Sequence, residues 1–121
     1  MSRFGYGVND LTGHTNSYGT EAAATTVASG TYTFNFNNGM RQKITATGSF
    51  TLAFSGFRKG VVQYAVIEAV NWGAYTITLP SGLASITPTF TISGVDLLCI
   101  EKSGSDKYRL IGVRYNVGAG A

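Results

Sequence analysis

The sequence predicts an all-β fold, a small antiparallel β-sandwich of about eight strands with an extended N-terminal arm. Three observations predict it. From Gly30 onward apolar and polar residues alternate with period two almost without interruption. The alternating runs are short, and Gly, Asn and Pro turns separate them. Charged residues are 12% of the 121-residue chain, about half the usual share of about 25%. Thr, Ser, Asn and Gly replace them, which suits strands whose outer faces are hydroxylated rather than salt-bridged.

Residues 1–29 read as an arm, because Gly5, Gly7, Asn9, Gly13, Asn16 and Gly19 punctuate a segment with little apolar periodicity. Within it, Thr20 can cap a short helix over TEAAATTVAS, and Glu21 favours the first turn. The β-branched run Thr25, Thr26, Val27 holds that helix to one or two turns. The module expected over 30–115 opens with Tyr32, Phe34 and Phe36 alternating with Thr31, Thr33 and Asn35. Asn37, Asn38 and Gly39 turn the chain, which returns through Gln42, Ile44 and Ala46. After Gly48, Phe50, Leu52 and Phe54 form the next strand, and SGFRKG leads into VVQYAVIEAV. That run is apolar on both faces, as in a central strand covered on both sides. In AYTITLP, Tyr75, Ile77 and Leu79 point one way and Ala74, Thr76 and Thr78 the other, until Pro80 stops the strand. SGLASITP is a loop to a strand TFTI; VDLLCIE, the polar turn KSGSDK and a last strand YRLIGVRYNV follow. Residues 116–121 are a flexible Gly/Ala tail. No internal repeat of a solenoid kind is legible.

The inventory of reactive groups argues against an enzyme. His14 is the only histidine, so a Ser-His-Asp or Cys-His arrangement would have to draw on the arm. No zinc set, calcium loop, catalytic carboxylate pair or phosphate-binding glycine loop is present, and no cofactor or metal is expected. Cys99, the sole cysteine, reads as a buried small hydrophobe. Glu68 falls inside an apolar strand, where a Lys or Arg across the sheet would satisfy it; otherwise it is a polar group at a subunit interface. Asp96, following Ser93 and Gly94, is placed to accept turn N–H bonds. A net charge of +3 with scattered cations argues against nucleic acid. No run reaches the length of a membrane span, and MSRFGYGVND lacks a signal-peptide core, so synthesis in the cytoplasm is expected.

Partner binding has more candidates. Phe57, Arg58 and Lys59 crowd a loop tip, either to grip an acidic surface or a sugar, or as a charged hairpin end with Phe57 tucked into the core. Trp72 in the turn NWG is either the rim of a binding site or a cover for the sheet edge. Phe4, Tyr6 and Tyr18 are aromatics in an irregular segment, the composition of anchors that dock on a partner.

The order of short motifs adds to this. ITATGSFTLAFSGF is followed by Asn71, Gly73, Tyr75, Thr76, Ile77, Thr78 and Pro80, in the pattern N-x-G-x-Y-T-I-T-x-P. Next come Pro88, Thr89, Thr91, Ser93, Gly94 and Asp96, and Gly104, Tyr108 and Gly112 close the series. In this order, from Gly30 to Val113, the chain resembles a β-module of tailed-phage virion proteins, often found at the C-terminal end of tail-fibre and related chains. It departs from that pattern at Leu79, where a tryptophan is frequent, and in the shorter loop GLASITP. The resemblance implies a virion structural module, made in the host cytoplasm. A single module with an aromatic-dotted arm favours a capsid decoration (cement) protein that binds the major capsid protein or other virion proteins through its arm. Family habit suggests a homo-oligomer, a trimer. The alternative is a tail, baseplate or fibre-tip component whose Phe57–Lys59 loop and Trp72 touch a host receptor or surface glycan.

Overall fold

Short links between strands decide how they pair. The computed structural model describes residues 21–83, 87–105 and 107–118. Along it run β1 (Thr25–Val27), β2 (Thr31–Asn35), β3 (Arg41–Ala46), β4 (Phe50–Ser55), β5 (Gln63–Val70), β6 (Ile77–Thr78), β7 (Val95–Lys102) and β8 (Tyr108–Arg114). The protein is all-β, and the described residues form eight strands in two sheets ordered β1-β3-β5-β7-β8 and β2-β4-β6.

From β1 to β6 the chain changes sheet after every strand, so each strand pairs with the next but one. Thr25 lies beside Ile44, 19 positions on, and Thr31 beside Thr51, 20 positions on. Arg41 lies beside Val66, 25 positions on, and Phe50 beside Ile77, 27 positions on. All four pairings are parallel. Parallel strands need a long crossover, and here the strand in the opposite sheet is that crossover. The result is a two-sheet coil of three rungs, closed on one sheet by the antiparallel pairs β5–β7 and β7–β8. The expected class, strand number and two layers are found; the antiparallel direction is corrected for the first six strands. A solenoid repeat is therefore present, hidden in the sequence because its spacing drifts from 19 to 27 residues.

The helical turn expected in TEAAATTVAS is corrected as well. Ala22 N donates to Arg41 O at 3.0 Å, and Thr25–Val27 is strand, since pairing with β3 suits the β-branched run better than a helix does. Part of the segment read as arm thus belongs to the five-stranded sheet; residues 1–20 lie outside the described residues. The TFTI stretch, by contrast, is irregular.

Alternation holds within each strand. Ile44, Ala46, Ala65, Ile67, Ala69, Leu98 and Ile100 face Phe34, Leu52 and Phe50 across the core. On the outside of the smaller sheet Thr31, Thr51 and Thr78 stand in one cross-strand rank, all exposed, which is the hydroxylated face expected from composition. Cys99 is half-buried rather than buried: β7 turns Leu98 and Ile100 inward, and Cys99 between them falls on the outer face. Glu68 is met by a cation across the sheet, as expected. Arg41 Nη2 lies 2.6 Å from Glu68 Oε1, while its Nε lies 3.2 Å from Glu21 Oε2.

Two buried polar side chains, Gln42 and Asp96, and the half-buried Asn71 fasten the links. Gln42 Nε2 donates to the Asn35 and Gly39 carbonyls at 2.9 and 3.1 Å, and Tyr32 Oη donates to Gln42 Oε1 at 2.8 Å. One side chain so satisfies the turn between β2 and β3. Asn71, at φ 62°, accepts from Gly94 N through Oδ1 at 3.1 Å. Asp96, fully buried, accepts from Thr91 N and Thr91 Oγ1 at 2.6 Å and from Asn116 N at 2.9 Å. That is the turn-binding role expected of it. Gly73 completes the joint: its N–H donates to Thr91 O at 3.0 Å, and a Cβ there would sit 2.2 Å from Phe90 O. The motif residues from 71 to 96 thus lock two loops together.

Candidate partner-binding loop

The loop between β4 and β5 leaves one sheet and enters the other, so Phe57, Arg58 and Lys59 are not a hairpin end. Its backbone is held at two points. Arg58 N donates to Gln63 Oε1 at 2.7 Å, and the buried Lys102 Nζ donates to Arg58 O. Phe57 packs edge-on against Tyr108, with centroids 5.5 Å apart, and Lys102 Nζ stands 5.3 Å from its ring centre. The ring nevertheless stays 37% exposed. Tyr108 also stacks on Phe54 at 4.8 Å, so the loop is anchored through Phe57 to the aromatic core of Phe34, Phe36 and Phe54.

Beyond that anchor, Arg58 and Lys59 are exposed, and Val61 and Val62 are 40% and 54% exposed. The turn 103–105 lies alongside: a Cβ on Gly104 would come within 3.5 Å of the Gly60 carbonyl oxygen. The arrangement presents two cations and two β-branched apolar side chains on a fixed backbone. It can make charge-assisted contacts to an acidic or sugar surface with little ordering cost. Nearby, Tyr64 hydrogen-bonds Glu101, and that bond together with the carboxylate's charge holds the phenol above its ordinary value of 10.0.

The structure separates the other sequence candidates from this loop. Trp72 is corrected as a partner-binding residue: it is fully buried. Its indole N–H donates to Ile44 O at 2.9 Å, and its ring packs edge-on against Phe50 and Phe90 at 5.4 and 5.1 Å. Phe90, on the irregular segment that replaces the expected strand, is what covers it. Phe4, Tyr6 and Tyr18 lie outside the described residues. Sequence reasoning missed Val61 and Val62 as surface, because they open an apolar run. The signal was positional, since β5 begins only at Gln63 and the residues before it are loop. Among the described residues no group of three His, Cys, Asp or Glu side chains could hold a metal ion. Compared with protein-family models, curated proteins and solved structures, the chain matches none.

Proposed function

We propose that this chain is a non-enzymatic virion structural protein of a tailed phage, a capsid decoration protein that binds the shell through its N-terminal segment. The observation that carries the reading is the ordered motif series from Gly30 to Val113, and the structure gives those motifs a physical task that fits it. Asn71, Gly73, Thr91, Gly94 and Asp96 are all engaged in holding loops, so what this module resembles is a rigid support. Rigidity with a hydroxylated outer face on the smaller sheet suits a protein that adds many copies of a small contact to a larger assembly. Its partners would be the major capsid protein or other virion proteins, with no nucleic acid and no membrane.

The copy number on purified particles tests this. Quantitative mass spectrometry against the major shell protein should return a ratio near one per shell subunit, or one oligomer per few subunits. A handful per particle would move the protein to the tail, and absence would end the virion reading. A second test divides the chain. Deleting residues 1–19 should leave a module that unfolds cooperatively at the wild-type midpoint but no longer joins particles. Loss of folding would place that segment in the core instead.

The tail, baseplate or fibre-tip alternative is favoured by one observation, the fixed cationic loop. Arg58→Glu with Lys59→Glu reverses its charge without touching a buried group, so stability should change by no more than about 0.5 kcal/mol. Under the decoration reading such particles still adsorb to host cells and still carry the protein. Adsorption lost with incorporation kept would assign the loop to a receptor or glycan.

A further inference from the structure

The two ends of the coil differ in how their sheet edges are guarded. At one end the edges are β8 and β6. β8 carries Arg109 and Arg114, and its register breaks where Cys99 pairs with Gly112 and Ile100 with Leu110. β6 is two residues long, with Pro80 two residues after it. Charge, bulge, short length and proline are the devices by which a sheet refuses another strand. At the opposite end β1 and β2 are the edges of both sheets at once. From Ala22 to Met40 there is no charged residue and no proline, and both edge strands hold their register without a break.

The backbone of β2 shows what that edge offers. Thr51 N donates to Gly30 O at 2.9 Å, which fixes the alternation of the parallel ladder. Tyr32 and Phe34 then turn their amides and carbonyls toward β4, and those of Thr31 and Thr33 point off the edge. They have no partner among the described residues. The nearest charges, Glu21 and Arg41, pair at 3.2 Å, and Arg41 is shared with Glu68 at 2.6 Å, so no lone charge stands at this edge.

We propose that this end is an interface between two copies of the chain, joined edge to edge about a twofold axis. The guarded far end makes head-to-tail stacking unfavourable and leaves like-to-like contact. Like-to-like contact is isologous and closes at two, so it forms a dimer and no filament. Identical edges related by a twofold run antiparallel, and the outward groups of Thr31 and Thr33 supply the ladder. This inference is independent of the virion reading. It also replaces with a dimer the trimer that the resemblance implies.

Sedimentation of the full chain over a concentration series tests it, beside Thr33→Pro. Proline on an edge strand is tolerated where its missing N–H faced outward, and Tyr32 before it is already extended. The variant therefore removes one outward donor per copy and nothing that faces β4. The wild type should pass from monomer to dimer, and Thr33→Pro should weaken that step about tenfold or more. Amide exchange at Thr31 and Thr33 in the wild type should slow as the dimer forms and quicken on dilution, which keeps the test alive should the variant fold poorly. A monomer at every concentration, a trimer, a dimer indifferent to Thr33→Pro, or protection that ignores concentration would each overturn the proposal.

Discussion

Trp72→Ala should lower stability by about 3–5 kcal/mol, the range for emptying a large buried aromatic site. The side chain is fully buried and wedged between Phe50 and Phe90. Its removal opens a cavity where the three-rung coil meets the 88–94 segment, and it deletes the bond from the indole N–H to the Ile44 carbonyl. A domain of this size has about 5–15 kcal/mol in hand, so the urea midpoint should fall by about a fifth or more. Trp72→Phe separates the two contributions: it keeps an aromatic ring but loses the bond to Ile44, which adds about 1–2 kcal/mol to the smaller packing loss. Phe57→Ala is the comparison. Its ring is partly exposed and held on one edge, so about 1 kcal/mol is expected. A Trp72→Ala protein with an unchanged midpoint would mean the indole is not core, and a loss of partner binding at full stability would return it to a rim role.

The two readings that the sequence left open for Trp72, rim or cover, show what the sequence can carry; burial decides for the cover. Strand faces were legible because period two is local: Ile44 and Ala46, Leu52, and Leu98 and Ile100 fall inward as alternation requires. Asp96 was legible for the same reason, since a carboxylate after Ser-Gly has turn amides within reach. Glu68 needed one further step, a cation on a neighbouring strand, and Arg41 supplies it. The direction of pairing was not legible. A hairpin and a coil give the same alternation, and only the sheet to which each link crosses distinguishes them. The rungs at Thr25 and Ile44, or Thr31 and Thr51, share little beyond β-branching and are unequally spaced. Trp72 belongs to the same blind spot. In sequence it sits in a polar turn beside Asn71 and Gly73; in space that turn is roofed by Phe90, which lies 18 positions later on a segment without regular structure. Cys99 shows the converse: read as a buried small hydrophobe, it lies on a face of β7 that the described residues cover only in part.

Asp96→Ala is expected to cost about 3 kcal/mol or more, although the side chain it removes is polar. Its carboxylate accepts three hydrogen bonds while fully buried, and bonds to a charged acceptor contribute about 1.5–3 kcal/mol each. Alanine removes all three and leaves the amides of Thr91 and Asn116 without an acceptor. Asp96→Asn holds the volume but replaces one acceptor oxygen by a donor facing donors, so it should recover less than half of the loss. Thr91→Val deletes the hydroxyl bond alone. In a double-mutant cycle with Asp96→Ala it should give a coupling of about 1 kcal/mol, because the two residues share that bond. The damage should also be local in a defined way. Asp96 ties the 89–94 loop and the chain at Asn116 to the start of β7, next to the bond from Val117 N to Val95 O. Amide exchange should therefore rise first at Thr91, Asn116 and Val117, while β3 and β5 stay protected until global unfolding. Should Asp96→Asn fall within about 0.5 kcal/mol of wild type, as an ordinary surface change would, the carboxylate's charge contributes nothing to the joint. The Asn71–Gly73 turn would then hold these loops without it.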